Sequence, residues 1–324
     1  MFYTPSPLKH VVAREPRNVA GLSEEALASY LQAGRIAREA LLYGATLIKP
    51  GALIRDVLDR VEEKIRSLGG EPAFPAQSSR NECAAHFCPD EEDTTSYEAG
   101  DCVKLDVGVH VNGYVADNAL TIALSEEHDN LVKAAQAALD TAITLATPGT
   151  TPAEIGKAIE ETIQRFGYQP IRNLSGHGIG HFIVHQAPTI PNYQATHLTT
   201  PLKEGDTIAI EPFATTGTGL VGNKGAPTIF SLTKLPRTRN PATRQALTYL
   251  QSIGPLPFTT RWLTRQLGKT KAFLALQDLR RLGCLNEYPP LHEKSKGIVA
   301  QAEHSIIVAK TPIVITRTNN HTAP

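Results

Sequence analysis

The sequence predicts an α+β protein, a curved antiparallel sheet backed by helices, with two halves related by a pseudo-twofold. Three observations predict it. A pair of helix-patterned segments is followed by strand-patterned ones, the same order then recurs, and a third helical cluster stands before the last strands. Residue identity between the halves is not evident, so the symmetry is one of element order.

Ser23 is a favoured N-cap ahead of Glu24-Glu25, and Leu31, Ile36, Ala40 and Leu41 recur at near-helical spacing until Lys49-Pro50-Gly51. A second helix sets Leu53, Ile54, Val57, Leu58, Val61 and Ile65 on one face and stops at Gly69-Gly70. Ser125 opens a third, ending near Pro148-Gly149. Thr151-Pro152-Ala153-Glu154 is a capping box with proline at the first helical position and opens a fourth, running to Gly167. Strands are predicted over 102–111, 114–124, 207–213, around 298–308 and over 313–316. The segment 235–282, helical over 243–253, 259–267 and 271–282, reads as an insertion into a body formed by 23–234 and 283–316. A short segment 1–22 precedes that body, and a polar tail, 317–324, follows it and is expected to be disordered.

With 324 residues and 41% hydrophobic content the chain can bury a substantial core. Lys plus Arg and Asp plus Glu both total 32, so no global field favours nucleic acid or an acidic membrane. The four cysteines form no CxxC pair and are too few for a disulfide framework, which fits a reducing compartment. Met1-Phe2-Tyr3-Thr4-Pro5-Ser6-Pro7 does not read as a signal peptide, and apolar windows such as 40–48 fall short of the roughly 20 residues of a membrane helix. A cytoplasmic location without membrane contact is expected.

Between residues 101 and 110, Val103, Leu105, Val107 and Val109 share one face, and Lys104, Asp106, Gly108 and His110 the other. Asn112-Gly113 is the preferred loop of a type I′ hairpin, which pairs Val111 with Tyr114 and Gly108 with Asp117. Asp106 and Asp117 then become diagonal neighbours on one face, with Cβ atoms about 6–8 Å apart, close enough to share a pair of metal ions. Gly108, opposite Asp117, leaves space for ions near the backbone. The hairpin alone equally allows two solvated aspartates on an open face.

Further candidates lie downstream. Asn173-Leu174-Ser175-Gly176-His177-Gly178 reads as a strand ending in a glycine-flanked loop that carries His177 toward a cleft, and His185 follows shortly. Glu211 sits inside the apolar run Ile208-Ala209-Ile210-Glu211-Pro212-Phe213, and Glu303 enters another apolar strand. A buried unpaired carboxylate is costly, and a nearby cation would offset it. Singly, His177 or His185 could be a hydrogen-bonded core histidine, and Glu211 could pair with an arginine. Together, four carboxylates and one imidazole suit two divalent ions among Mn²⁺, Fe²⁺, Co²⁺ and Zn²⁺.

Phe74-Pro75, Asn81-Glu82-Cys83-Ala84-Ala85-His86, Lys104-Leu105-Asp106-Val107-Gly108-Val109-His110, Ala116-Asp117, Asn173-Leu174-Ser175-Gly176-His177, Ala209-Ile210-Glu211-Pro212-Phe213 and Gln301-Ala302-Glu303-His304 together resemble the type II methionine aminopeptidases, in family order. Leu235-Pro236-Arg237-Thr238 and Tyr288-Pro289-Pro290-Leu291 flank a stretch similar to the insertion that separates type II from type I, winged-helix-like in the family. The resemblance implies a pita-bread fold. In it, Asp106, Asp117, His177, Glu211 and Glu303 hold two ions, with Asp117 and Glu303 bridging, Asp106 on one ion, and His177 and Glu211 on the other.

Further roles follow from the same resemblance. Hydroxide held between the ions attacks the first peptide bond, and Glu211 serves as general base. His86 contacts the scissile amide, and His185 the tetrahedral intermediate. Phe74 and Val184 line the methionine pocket, and Tyr288 lies near its mouth. The implied substrate is a nascent polypeptide beginning with Met before a small second residue. The enzyme is expected to be a monomer of archaeal type, lacking the long charged extension of eukaryotic relatives.

The insertion and its leading edge carry Lys234, Arg237, Arg239, Arg244, Arg261, Arg265, Lys269, Lys271, Arg280 and Arg281 against Asp278 alone, a local basic bias that would suit a ribosome contact or simply a solvated face. Three other functions stay open on sequence. One is an aminopeptidase P or prolidase, which shares the fold and ligands. Another is a non-catalytic pita-bread protein binding RNA or protein, which would have lost ligands. The third is a DNA-binding role for the insertion.

Overall fold

The computed structural model describes residue 19 and residues 21–317. Residues 1–7, read as no signal peptide, most of the segment 1–22 and nearly all of the tail 317–324 lie outside the described residues.

Helix α1 (Glu24–Leu47) starts where Ser23 Oγ accepts the Ala26 N–H at 3.1 Å, and α2 (Ile54–Ser67) follows the Lys49-Pro50-Gly51 break. Their apolar faces, with Ile36, Leu41, Leu58 and Val61, cover Val103, Leu105, Val107 and Val109 of the hairpin. Full burial of each such side chain is worth roughly 1.5–3 kcal/mol. Gly44 permits the close approach, since a Cβ there would meet Val61 and Leu105 methyls at 2.6 and 2.7 Å.

Ser125 caps a 3₁₀ turn, Glu126–His128, rather than the α-helix itself. α3 (Asp129–Thr144) begins after that turn and ends short of Pro148. The capping box of α4 (Pro152–Arg165) is present in both directions between Thr151 and Glu154. These two helices bury Leu139, Ile155, Ile159 and Ile163 against Ile208, Ile210 and Ile306, which repeats the helix-pair-on-sheet arrangement of the first half.

All strand pairings among the described residues are antiparallel. The hairpin Cys102–Val111 and Tyr114–Ala123 has the register expected from its turn, Gly108 opposite Asp117, and both turn residues are left-handed, Asn112 at φ 50° and Gly113 at φ 84°. Both hairpin faces are covered: Lys104, on the Asp106 face, is 1% exposed. Asp117 is 4% exposed and Asp106 is half-buried, so the pair does not stand on an open, solvated face. The space above Gly108 is filled too, because a Cβ there would run into the Phe74 ring; the glycine seats that ring and does not leave room for an ion.

The predicted strand 207–213 is broken into Thr207–Ile210 and Phe213–Thr215, and the strand 298–308 into Val299–Gln301 and His304–Ile307. The breaks face each other, since Ile210 pairs with His304 and Phe213 with Gln301. Each pair of strands leaves one sheet and enters another there, with Glu211 and Glu303 in the gaps. Pro212 offers no N–H for a continuous ladder, and Glu303 N instead donates to Ala119 O of the hairpin at 3.0 Å.

Helices α5 (Pro241–Ser252), α6 (Thr260–Leu267) and α7 (Lys269–Arg281) share one core with Phe230, Phe258 and Cys284. Strands Ile229–Leu232, Phe258–Thr259 and Leu285–Tyr288 pair beside them, so this packing unit takes in residues on either side of 235–282. Arg261, fully buried, ties it to α2 through Asp59 and Glu62 at 2.8 and 2.7 Å, and Trp262 Nε1 donates to Glu62 at 2.8 Å. Among the described residues no helix is long and apolar enough to cross a membrane.

Strand Leu291–Glu293 brings the chain back from this unit and pairs with Cys83–Ala85, the strand leading to His86. The Glu293 carboxylate is 2% exposed and accepts from Thr218 N and Oγ1, Gly219 N, Ser295 N and Oγ and Gly297 N, which holds its pKa down to about 2 despite burial. A group depressed in this way stabilises the fold above the ordinary carboxylate pKa and loses that contribution as pH falls toward about 2. Glu293→Gln should lower unfolding free energy at pH 7 by about 2–3 kcal/mol. Denaturation curves recorded from pH 5 to 2 should show the variant losing less stability than the wild type; parallel losses would contradict this.

Candidate metal centre

Every residue assigned a site role from sequence lines one cavity of about 430 Å³: Phe74, His86, Asp106, Asp117, His177, Val184, His185, Glu211, Tyr288 and Glu303. Asp106 and Asp117 come from the hairpin, Glu211 and Glu303 from the two strand breaks. His177 lies within a strand, Ser175–Gly180, and not in a loop. Its flanking glycines are needed there because a Cβ at Gly176 or Gly178 would strike the backbone carbonyl of Ala209 or Ala187.

Ligating atoms of Asp117, His177 and Glu303 all lie within 4.8 Å of one another. His177 Nε2 is 3.8 Å from Asp117 Oδ2 and 3.5 Å from Glu211 Oε1. Its Nδ1 is 3.2 Å from the Gly178 carbonyl, which can only accept, so Nδ1 carries the proton and Nε2 presents a lone pair. Burial, reinforced by His185 with ring centroids 4.2 Å apart, lowers the His177 pKa to about 3, so the ring is neutral. A lone pair facing two carboxylate oxygens at these distances is repulsive unless a proton or a metal cation lies between them.

The carboxylates carry the same signature. Burial pushes the Asp106 pKa up to about 7. Burial and then the charges of Asp106 and Glu211 raise that of Asp117; burial and Asp106 raise Glu211; and burial, Asp117, Glu211 and Asp106 raise Glu303. Asp106 Oδ1, Asp117 Oδ1 and Glu303 Oε1 are buried without a hydrogen-bond partner. Oxygen-rich donors plus one neutral imidazole nitrogen fit divalent first-row ions, and these orphaned oxygens are what such ions would satisfy.

Supporting residues escaped the sequence reading. Gln301 Nε2 donates to Glu211 Oε2 at 3.3 Å and to Glu303 Oε2 at 3.4 Å, spanning the two breaks. Ser305 Oγ accepts the Asp117 N–H at 2.7 Å and donates to the Asp117 carbonyl at 2.8 Å. Gln77 Oε1 accepts from His86 N at 2.9 Å, holding His86 in a left-handed conformation at φ 68°. Gln301 stands two residues before Glu303, a spacing that could have flagged it; the other two contacts cross between strands and leave no local trace.

A family model described as Metallopeptidase family M24 matches residues 28–232. The chain belongs to metallopeptidase family M24. Curated relatives of this M24 chain include the methionine aminopeptidases of Thermococcus onnurineus, 45% identical over 88% of this chain and 97% of that protein, and of Archaeoglobus fulgidus, 42% identical over 91% and 99%. Methionine aminopeptidase 2 of Neurospora crassa is 30% identical over 95% of this chain and 76% of that one. Among solved structures, a thermophilic Arx1 has TM-score 0.79 at 16% identity, covering 94% of this chain and 96% of that chain. Methionine aminopeptidase from Thermotoga maritima has TM-score 0.68 at 22% identity, covering 93% and 100%. Prolidase from Pyrococcus furiosus has TM-score 0.59 at 21% identity, covering 92% and 65%. At these identities the solved structures show the shared pita-bread fold. Membership of M24 brings divalent-metal use with it.

Without ions, the folded protein holds protons on these carboxylates that its unfolded chain releases. That contribution to stability is fully present below the ordinary carboxylate range and is lost as pH rises through about 7 at Asp106. Chelated protein should therefore melt at a lower temperature at pH 8 than at pH 6. Mn²⁺ should raise the midpoint more at pH 8, by about 2.7 kcal/mol of stability when free ion is about 100 times Kd. A midpoint indifferent to ions at both pH values would contradict the reading.

Proposed function

We propose that this chain is an aminopeptidase that removes the initiator methionine from polypeptides with a small second residue, using two divalent ions in the cytoplasm. The observation that carries it is the single cavity in which buried, partnerless carboxylate oxygens and a neutral imidazole adjoin an apolar recess. The curated relatives named above support the activity.

Asp117 and Glu303 would hold both ions, Asp106 one of them, and His177 with Glu211 the other. When bound, the ions would lower the pKa of water toward about 7 and so supply a nucleophile at neutral pH. Glu211, oriented by Gln301, takes the proton of the attacking water. His185, on the cavity wall with its ring centroid 4.2 Å from that of His177, donates to the oxygen that gains charge at the scissile carbonyl. His86 has a pKa lowered by burial to about 4, and its Nδ1 donates to Pro289 O at 3.3 Å, so Nε2 is free to accept the N–H of the scissile amide. The free α-amine of the substrate is drawn to the carboxylate cluster, which restricts cleavage to the first peptide bond.

Phe74 and Val184 wall the recess for the methionine side chain, with Phe213 and Ile229 also at the cavity surface. Tyr288 packs edge-on to His86 with centroids 5.9 Å apart, its hydroxyl 3.0 Å from Ser231 Oγ, and limits the room for the second residue. Met-Ala and Met-Gly peptides should be cleaved well ahead of Met-Leu and Met-Lys; equal turnover of all four would sink the assignment. In kinetic assays with saturating Mn²⁺, Glu211→Gln should reduce kcat by about 10²–10⁴-fold and His185→Ala by about 10²–10³-fold.

The protein is read as a monomer. A ribosome contact through the insertion is the finer proposal, and side-chain pairing narrows it. Arg261, Arg265, Lys269, Arg280 and Arg281 are engaged by Asp59, Glu62, Glu91, Glu92, Glu287 and Asp278. Lys234, Arg237, Arg239, Arg244 and Lys271, which have no acidic partner among the described residues, would have to carry it. Co-sedimentation with ribosomes at low salt that fades as salt rises is the expected result; none even at low salt would dispose of the idea.

A further inference from the structure

A second cavity, of about 520 Å³, is bordered by Arg66, His110, Phe182, Tyr249, Leu256 and Trp262, and it shares Pro257 with the first. Pro257 belongs to a strap, residues 253–258, that joins α5 to the strand Phe258–Thr259. The strap is anchored at its far end by pairing of Phe258 with Phe230 and of Thr259 with Ile229. Near its start Gly254, at φ 80°, passes over Phe182, whose ring lies 3.5 Å from a Cβ built at that position. Leu256 is 4% exposed and belongs to the same buried cluster as Phe74 and Val184, yet it borders only the second cavity. Leu256 is thus packed in one cluster with two residues of the first cavity's wall while it borders the second.

We propose that Leu256, carried into the body by the insertion's strap, is the back wall of the recess for the substrate's N-terminal side chain and determines which side chains that recess admits. The inference rests on the reading of Phe74 and Val184 as the side walls of that recess. An unbranched thioether can thread a narrow slot by rotating its single bonds, whereas a planar ring needs width at its far end. Truncation of Leu256 removes the atoms that close the slot, and a packed wall relaxes only partly into such a gap. Here the gap would open onto space that already exists. Apolar pockets discriminate by only about 10–200-fold per methylene, so deletion of several carbons should be visible as a change in preference.

The test uses the full chain loaded with Mn²⁺ and the tripeptides Met-Ala-Ser and Phe-Ala-Ser, with kcat/KM measured for wild type, Leu256→Ala, Leu256→Val and Leu256→Met. The ratio of Phe-Ala-Ser to Met-Ala-Ser should rise about tenfold or more in Leu256→Ala, by less in Leu256→Val, and stay near wild type in the volume-conserving Leu256→Met. A ratio that does not move in Leu256→Ala, including the case where both activities fall together, overturns the inference and leaves a merely structural leucine. If Leu256→Ala does not fold, Leu256→Val decides: a raised ratio supports the wall, a flat one overturns it. Wild type that cleaves no Met-Ala-Ser would instead overturn the proposed activity, and the inference with it, whereas wild-type cleavage with flat ratios sinks the inference alone.

Discussion

Charge crowding in a cleft is the constraint on which the rest depends. Asp106, Asp117, Glu211 and Glu303 face one another around a neutral histidine, and among the described residues no lysine or arginine pairs with any of them. Leaving several carboxylates ionised away from water costs several kcal/mol each. The cost is met in one of two ways, by protons, which is what their raised pKa values express, or by cations. An enzyme working at neutral pH needs the second, so the same crowding that would weaken the empty protein gives the ions their hold.

The backbone assembles this cluster through irregularities rather than through regular strands. A type I′ turn sets two aspartates on one face of a hairpin. Two opposed strand breaks place the glutamates, and Gln301 holds both in mutual reach. Glycines beside His177 let three strands approach closely enough for the imidazole to enter. The helix pairs on the outer face supply the rigidity: their apolar stripes seal the hairpin and the strands Thr207–Ile210 and His304–Ile307.

What was legible in the residues was local. Ser23, the Thr151/Glu154 box and Asn112-Gly113 act within a few positions of themselves, so the helix starts and the hairpin register could be read directly. Residues 207–213 and 298–308 read as unbroken strands because their apolar runs are continuous; Pro212 was the one hint that the ladder stops. His177 read as a loop residue because Gly176, Gly178 and Gly180 argue against a strand, while their reason is close backbone approach. The basic bias of the insertion is offset in part by Asp59, Glu62, Glu91 and Glu92, which lie too far off in the chain to be set against it from sequence. Gln77 and Ser305 act across strands, and no periodicity marks such contacts.

The insertion is more than an appendage. Arg261 and Trp262 grip Glu62, whose Oε1 also accepts the Ala76 N–H at 3.3 Å, next to Gln77 and the His86 contact. The strands that flank the insertion bring Ile229 and Tyr288 to the cavity, and its strap brings Pro257. The central claim, that the crowded carboxylates exist to hold a pair of cations, is tested most directly by anomalous scattering from crystals of Mn²⁺-loaded protein. The account predicts two manganese peaks between Asp106, Asp117, His177, Glu211 and Glu303; a cavity with no anomalous density, or manganese bound only elsewhere on the molecule, would contradict it.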